Sequence, residues 1–171
     1  WHQQQWARLE HAINQDHFPP ALLLRGPAGT GKAIFAQQLA KRLLCDKPDG
    51  SKACGHCEAC VLFDSHNHPD YFKLDTGESS SIGIDAVRQL SHKLHQSAHH
   101  MGYQVVVIDP ISALTTSAAN ALLKTLEEPM GKVVMIATLP TGATILPTLL
   151  SRMVLVPFYA DDQARAAIEG L

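Results

Sequence analysis

The sequence predicts an α/β fold in which a five-stranded parallel sheet is flanked by helices on both faces. Three observations lead to this prediction. Short apolar runs alternate along the chain with stretches of helical periodicity. The runs are continuously apolar, which is typical of parallel strands buried on both faces. A glycine-rich turn, RGPAGTGKAIF, follows the first run and opens a helix.

The composition is that of one ordinary globular domain. The chain has 171 residues, 46% hydrophobic and 18% charged, which is enough for a substantial core. The formal net charge is −2, so no overall basic field draws the chain onto nucleic acid, and we expect any such contact to be made through an assembly. No apolar run approaches the roughly 18 residues of a membrane span, and no signal peptide is evident. We therefore expect a cytoplasmic location and no membrane partner.

Five apolar runs are predicted to form the strands. YQVVVID is the clearest, and KVVMIAT is of the same kind. ALLLR is followed by Gly-Pro, which marks the change from a buried strand to a loop. The predicted strands cover residues 21–25, 71–75, 103–109, 132–138 and 153–158.

Helical periodicity marks most of the segments around these strands. After the second strand, Val87, Leu90 and Leu94 have the spacing of one helix face. The predicted helices cover residues 6–15, 32–44, 84–97 and 117–127, with a short helix containing an internal proline over 143–152 and the start of another helix in the last dozen residues.

The glycine-rich turn matches a phosphate-binding loop at every position but one. The motif G-x-x-x-x-G-K-[ST] is met by Gly26, Gly31 and Lys32, with Gly29 between them. Backbone N–H groups of such a loop bind phosphate oxygens, aided by the positive end of the following helix, and the lysine reaches the terminal phosphates. The next residue is Ala33, so the hydroxyl that normally holds magnesium is missing.

A second position of the same site is also altered. The strand VVVIDP resembles one that ends in Asp-Glu in many ATPases. Asp109 is present and is suited to assist a metal, but Pro110 replaces the glutamate that would activate water. Two independent losses argue against hydrolysis, because phosphoryl transfer depends on positioning and charge compensation. Whether the loop still binds ATP or ADP stays open at the level of sequence.

The four cysteines form one tight group. Cys45, Cys54, Cys57 and Cys60 follow the pattern C-x8-C-x2-C-x2-C in an inserted module, residues 45–60. This spacing brings four thiolates around one point, as tetrahedral zinc requires, and a closed shell of sulfur ligands makes the predicted zinc structural. Two disulfides are the numerical alternative, which a reducing compartment disfavours. His56 is the rival ligand within the insert.

One arginine directly precedes the last predicted strand. In TLLSRMVLVPF, Ser151 and Arg152 stand just before the strand. An arginine there is either an ordinary surface charge or an arginine finger, a side chain supplied to the nucleotide of a neighbouring subunit. The spacing alone does not choose between them.

Several blocks together resemble bacterial clamp-loader subunits of the AAA+ superfamily. Besides the phosphate loop, the blocks are CGHCEAC, HPDYF, IGIDAVRQL, NALLKTLEEP, and IAT followed by LPTLLSR, in an order and spacing that match the family. Ala33 and Pro110 differ from the gamma/tau motor subunit, and TTSAANALLKTLEEP is more similar to the delta-prime type of DNA polymerase III. The resemblance implies an AAA+ domain over residues 1–158 and the truncated start of a helical lid domain over 159–171.

The resemblance also implies roles and partners. Arg152 matches the arginine of a Ser-Arg-Cys motif that acts in trans on the ATP of an adjacent motor subunit, although Met153 replaces the cysteine. Thr138 matches a polar sensor position, and the four cysteines match the zinc module of the family. The implied partners are gamma/tau and delta subunits in a hetero-pentamer that loads the sliding clamp on primed DNA during replication.

Two other functions remain as alternatives. One is a gamma/tau-type ATPase motor that uses a degenerate site. The other is a zinc-based nucleic-acid binder, against which the net charge of −2 argues. The expectation is a subunit of a nucleotidyltransferase complex whose own ATPase site is inactive.

Overall fold

The computed structural model describes residues 2–15, 17–97, 102–128 and 131–160. Within these residues the predicted α/β architecture is confirmed, with a five-stranded parallel sheet between helices. The strands are β1 (Ala21–Gly26), β2 (Tyr71–Leu74), β3 (Tyr103–Ile108), β4 (Lys132–Pro140) and β5 (Val154–Pro157). The predicted positions of all five are correct to within two residues at each end.

The sheet has the strand order β2-β3-β4-β1-β5, and every pair of neighbours is parallel. Leu24 of β1 lies opposite Thr138 of β4 on one side and Val156 of β5 on the other. Strand β5 is therefore an edge strand, and β1 lies next to it inside the sheet.

The helices cover both faces of the sheet. They are α1 (Gln3–Asn14), α2 (Lys32–Leu44), α3 (Glu58–Asp64), α4 (Ile84–Gln96), α5 (Thr116–Glu127) and α6 (Pro147–Leu150), and a short 3-10 helix spans Ile111–Ala113. Among the described helices, none has the length and apolar character needed to cross a membrane.

Alternate residues of each strand pack into two different cores. Leu23 of β1 joins Val106 and Met135 in a core shared with α4 and α5. Leu22 and Leu24 join the opposite core, which is shared with α1 and α2. Because successive side chains point to opposite faces, a strand buried on both faces must be continuously apolar.

The helix predicted over residues 143–152 is wrong in its first part. Helix α6 begins at Pro147, and the residues before it are not helical. Proline lacks the N–H group that an interior helical position must donate, but the first turn needs no such donor. The proline therefore starts this helix instead of interrupting it.

The start of a lid domain, predicted over residues 159–171, falls almost wholly outside the described residues. Of this segment the structure describes Tyr159 and Ala160, which follow β5. The domain boundary at residue 158 stays a prediction.

The parallel sheet separates the predicted site residues between its two ends. The phosphate loop, Asp109 and Thr138 follow or end strands at the carboxyl edge of the sheet. Arg152 precedes β5 and lies at the amino edge. Parallel α/β sheets bind ligands at the carboxyl edge, so the first group forms the candidate nucleotide site and Arg152 belongs to another surface.

Candidate functional site

The glycines of the phosphate loop are required by its backbone. Gly29 and Gly31 have φ angles of 77° and 78°, in the left-handed region that favours glycine. Gly26 has a different reason: a Cβ atom there would lie 2.7 Å from Cβ of Phe158 and closer still to its carbonyl oxygen. The loop sequence is thus explained in part by its own shape and by the close approach of the chain after β5.

The amino group of Lys32 is engaged by its own loop. Its Nζ atom donates to the carbonyl of Gly26 at 2.9 Å, to that of Pro27 at 2.5 Å, and to Oγ1 of Thr30 at 3.3 Å. Burial lowers the pKa of Lys32, and the charge of Asp109 opposes this shift. An ammonium has three N–H groups, so a bound phosphate would have to replace contacts that the loop already supplies.

The hydroxyl lost at Ala33 is not replaced by the nearby Thr30. The Oγ1 atom of Thr30 donates to the Pro27 carbonyl at 2.8 Å and lies beside the Lys32 ammonium. That hydroxyl serves the internal geometry of the loop. Ala33 itself lies in the first turn of α2, where its methyl group offers no metal ligand.

The carboxylate that follows β3 is joined to the end of β4. Oγ1 of Thr138 donates a short hydrogen bond to Oδ1 of Asp109, and Thr138 is buried. Pro110 follows Asp109 through a cis peptide bond. The structure therefore brings Asp109 and Thr138 together at the carboxyl edge, while Pro110 offers no group for proton transfer.

The four cysteine sulfurs meet at one point. Sγ of Cys45 lies 3.9 Å from Sγ of Cys57, and Sγ of Cys54 lies 4.0 Å from Sγ of Cys60. All four sulfurs lie within 4.8 Å of one another. Tetrahedral zinc with Zn–S bonds of about 2.3 Å would place its sulfurs about 3.8 Å apart, whereas a disulfide needs about 2.05 Å. The cluster is suited to a metal ion such as zinc and is not a pair of disulfides.

Backbone N–H groups are directed at three of these sulfurs. The N–H of Cys54 donates to Cys45 at 3.3 Å, that of Cys57 to Cys54 at 3.3 Å, and that of Cys60 to Cys57 at 3.4 Å. The bond from Cys60 is the main reason that the pKa of Cys57 falls to about 6, while burial raises that of Cys60 to about 12. N–H donors to sulfur favour the thiolate, which is the form that binds metal.

Helices on both sides of the insert hold the cluster in place. Cys45 follows the last residue of α2, and Cys57 caps the amino end of α3. Lys41 of α2 forms a 2.8 Å ion pair with Asp64 of α3, which braces one helix against the other. The sequence pattern does not predict helix α3, because its seven residues begin inside the Gly- and Cys-rich insert and are too few to show a helical period.

His56, the rival ligand, is not part of the sulfur cluster. Its Nδ1 atom lies 2.9 Å from the carbonyl oxygen of Cys54, and the side chain is exposed. In the part of the chain that the structure describes, the cluster able to hold a metal consists of the four cysteines.

Arg152 lies far from the phosphate loop of its own chain. The nearby Val154 pairs with Leu22, four residues before Gly26 in β1, so about 13 Å of strand separates these two levels of the sheet. The Arg152 side chain is 46% exposed, and its Nη2 atom contacts Oε1 of Glu127 at 2.8 Å. Sequence reasoning did not find Glu127 as a partner, because nothing in the pattern links the end of α5 to the residue before β5.

Comparison with known proteins shows the family of this chain. The sequence model of one family, described as "DNA polymerase III, delta subunit", matches residues 1–162. The chain belongs to this family. A curated relative from Pseudomonas aeruginosa, DNA polymerase III subunit delta', is 42% identical over 155 residues, which cover 90% of this chain and 46% of the relative. The protein of the same name from Escherichia coli is 40% identical over 133 residues, covering 77% of this chain and 40% of that one.

A solved structure supports the fold of this family member. The crystal structure of a DNA polymerase III gamma subunit-related protein from Thermotoga maritima superposes with a TM-score of 0.69 at 21% sequence identity. The match covers 97% of this chain and 49% of the Thermotoga maritima chain. The family resemblance seen in the sequence, including its delta-prime type, is confirmed by the relatives. The chain spans less than half the length of the two curated relatives.

Proposed function

We propose that this chain is the AAA+ domain of a delta-prime subunit, which completes the ATPase site of a neighbouring subunit without hydrolysing ATP itself. The partners in this proposal are gamma/tau and delta subunits, which together load the sliding clamp on primed DNA. The names of the relatives and the family support membership of the DNA polymerase III machinery.

The observation that carries the proposal is the place of Arg152. Its side chain is half-exposed at the amino edge of the sheet, at the end opposite the phosphate loop of its own chain. A charged group there cannot serve the chain's own nucleotide, but it is accessible to a neighbour in an assembly. A guanidinium offers five N–H donors in a planar fork, which suits the oxygens of a transferring phosphate.

The state of the chain's own loop supports the second half of the proposal. Ala33 and Pro110 remove the magnesium ligand and the water-activating group. Lys32 is held by the loop carbonyls, and Asp109 is bonded to Thr138. Any ATP or ADP in this loop is expected to lack a productively held metal. Gly26, Gly29 and Gly31 are proposed to maintain the shape of the loop.

Zinc in the four-cysteine cluster is the proposed structural cofactor. Zinc held by four sulfurs has no open position, so it organises the insert and takes no part in chemistry. So short an insert cannot build a core of its own, and the metal supplies the missing stabilisation. We propose further that residues 1–158 form the ATPase-like body and that a lid domain begins at 159–171.

The test is the rate of ATP hydrolysis by the complex reconstituted with an Arg152→Ala full-length chain. The rate should fall while folding and metal content stay normal. An unaltered rate would reject the finger assignment.

A motor subunit of the gamma/tau type is the second candidate. The observation in its favour is that Lys32 and Asp109 are both retained at the carboxyl edge of the sheet. The test uses a complex in which Lys32 of this chain is the sole intact phosphate-loop lysine. Phosphate release by that complex, abolished by Lys32→Ala, would support this candidate.

A further inference from the structure

We propose that Glu127 is a positioning residue that pre-orients Arg152 for the neighbour's nucleotide. The proposal rests on the finger role assigned to Arg152 above. It concerns the contact between the last residue of α5 and the residue two places after α6.

The backbone at Arg152 is fixed by its surroundings. Its N–H donates to the carbonyl of Leu149 at 3.1 Å, in the turn that follows α6. Leu149 and Met153, on either side of the arginine, are 1% and 8% exposed and belong to the core shared with α5. The base of the side chain is therefore held in place, and its outer end is the part that remains to be oriented.

Glu127 restricts that outer end. The 2.8 Å contact joins Oε1 of Glu127 to Nη2 of Arg152, on the same solvent-facing surface. A free arginine side chain samples many rotamers, and ordering it at the moment of catalysis costs entropy. A carboxylate that holds the guanidinium beforehand lowers this cost in the assembled site.

The geometry of the contact leaves the guanidinium able to act. The 2.8 Å contact with the carboxylate is made by Nη2. The guanidinium has five N–H donors, and those on Nε and Nη1 stay able to bond phosphate oxygens while Nη2 contacts the carboxylate. The guanidinium can thus keep its orienting contact and still present donors to a ligand.

The exposure of the pair separates positioning from folding. The side chains of Arg152 and Glu127 are 46% and 47% exposed. Ion pairs that are this exposed to solvent contribute little to the free energy of folding. Removing the charge of Glu127 should therefore leave the fold intact. Glu128, the next residue, is also exposed. Among the described residues, the carboxylate paired with Arg152 belongs to Glu127. Glu128→Gln is a matched control.

The experiment measures kcat and KM for ATP in the complex reconstituted with full-length Glu127→Gln, Glu128→Gln, Arg152→Ala, and Glu127→Gln combined with Arg152→Ala. We expect Glu127→Gln to lower kcat about two- to fivefold with KM unchanged. A change of this size corresponds to losing the small interaction free energy of one exposed ion pair in the transition state. Glu128→Gln should match the unaltered complex. In the Arg152→Ala background, Glu127→Gln should change nothing further.

Three results would overturn the inference. In the first, Glu127→Gln leaves kcat unchanged, which means that the carboxylate has no role in hydrolysis, or raises kcat, which means that it competes with phosphate for the guanidinium. Its effect appears equally in Glu128→Gln, which makes it general surface charge. Its effect persists in the Arg152→Ala background, which makes it independent of the arginine. If Arg152→Ala itself has no effect, the finger role fails first, and this outcome is separate from the other three.

Discussion

The hydroxyl of Thr138 donates a hydrogen bond to the carboxylate of Asp109, and this bond ties the end of β4 to the end of β3. The sequence resemblance predicts a polar sensor at Thr138, and Asp109 is predicted to be suited to assist a metal. Here they are bonded to each other beside a loop that lacks its magnesium hydroxyl at Ala33. The pair is therefore expected to act in the structure of the sheet edge.

Thr138→Val is expected to lower the free energy of unfolding by about 1.5–3 kcal/mol, because the hydrogen bond from the buried Thr138 hydroxyl to the Asp109 carboxylate is lost. Urea denaturation measures this change. Thr144→Val, at an exposed residue, should stay within about 0.5 kcal/mol of the original. The ATPase rate of the reconstituted complex should not change with Thr138→Val, and a large fall would show that the sensor is still functional.

Gly26→Ala is expected to destabilise the domain by about 1–3 kcal/mol even though no nucleotide is involved, because its Cβ would collide with Phe158. Thermal unfolding measures the effect. Gly102→Ala is the matched control, since a Cβ at Gly102 meets nothing within 4 Å. Equal stability of the two variants would show that the backbone at Gly26 is held for ligand binding alone.

Cys60→Ser is expected to abolish stoichiometric zinc binding, because three sulfurs leave the tetrahedral shell open. Metal analysis of the purified full-length chain should give about one zinc in the original protein and in His56→Ala, whose ring is directed at a backbone carbonyl. Loss of zinc in His56→Ala with retention in Cys60→Ser would reverse the ligand assignment. Chelation should lower the melting temperature of the original protein and not that of Cys60→Ser.

Ala33→Thr is expected to introduce a magnesium dependence into nucleotide binding. The original chain lacks the hydroxyl that bridges magnesium to the terminal phosphates, so calorimetry should give the same ATP affinity with and without magnesium. The variant should bind ATP more tightly when magnesium is present, with no hydrolysis because Pro110 remains. Tighter magnesium-dependent binding by the original chain would contradict this expectation.

The strands were predictable because they are buried on both faces, and a run such as Val105 to Ile108 leaves little choice of conformation. The cysteine cluster was predictable because four metal ligands so close in sequence have few other uses. Both signals are local. The tertiary features were not predictable for the same reason: the approach of Phe158 to Gly26 and the ion pair between Glu127 and Arg152 join residues that are distant in the chain.

Helix α6 shows a different limit. Pro147 inside an apolar stretch is compatible with a kink or with a helix start, and the two are distinguished by whether the preceding carbonyls are bonded. The sequence does not contain that information. The structure resolves it through the bonds from Leu150 and Ser151 to the carbonyls of Leu146 and Pro147, which form the turn just before Arg152.

The most direct test of the central claim is single-turnover ATP hydrolysis in the complex reconstituted with full-length Arg152→Ala. Hydrolysis at the site facing this chain should slow by on the order of 10³-fold, the scale of an arginine finger supplied in trans. Arg88→Ala, which removes another exposed arginine paired with a carboxylate, Asp85, should hydrolyse ATP at the original rate. Unchanged hydrolysis with Arg152→Ala, in a complex that still assembles, would contradict the claim.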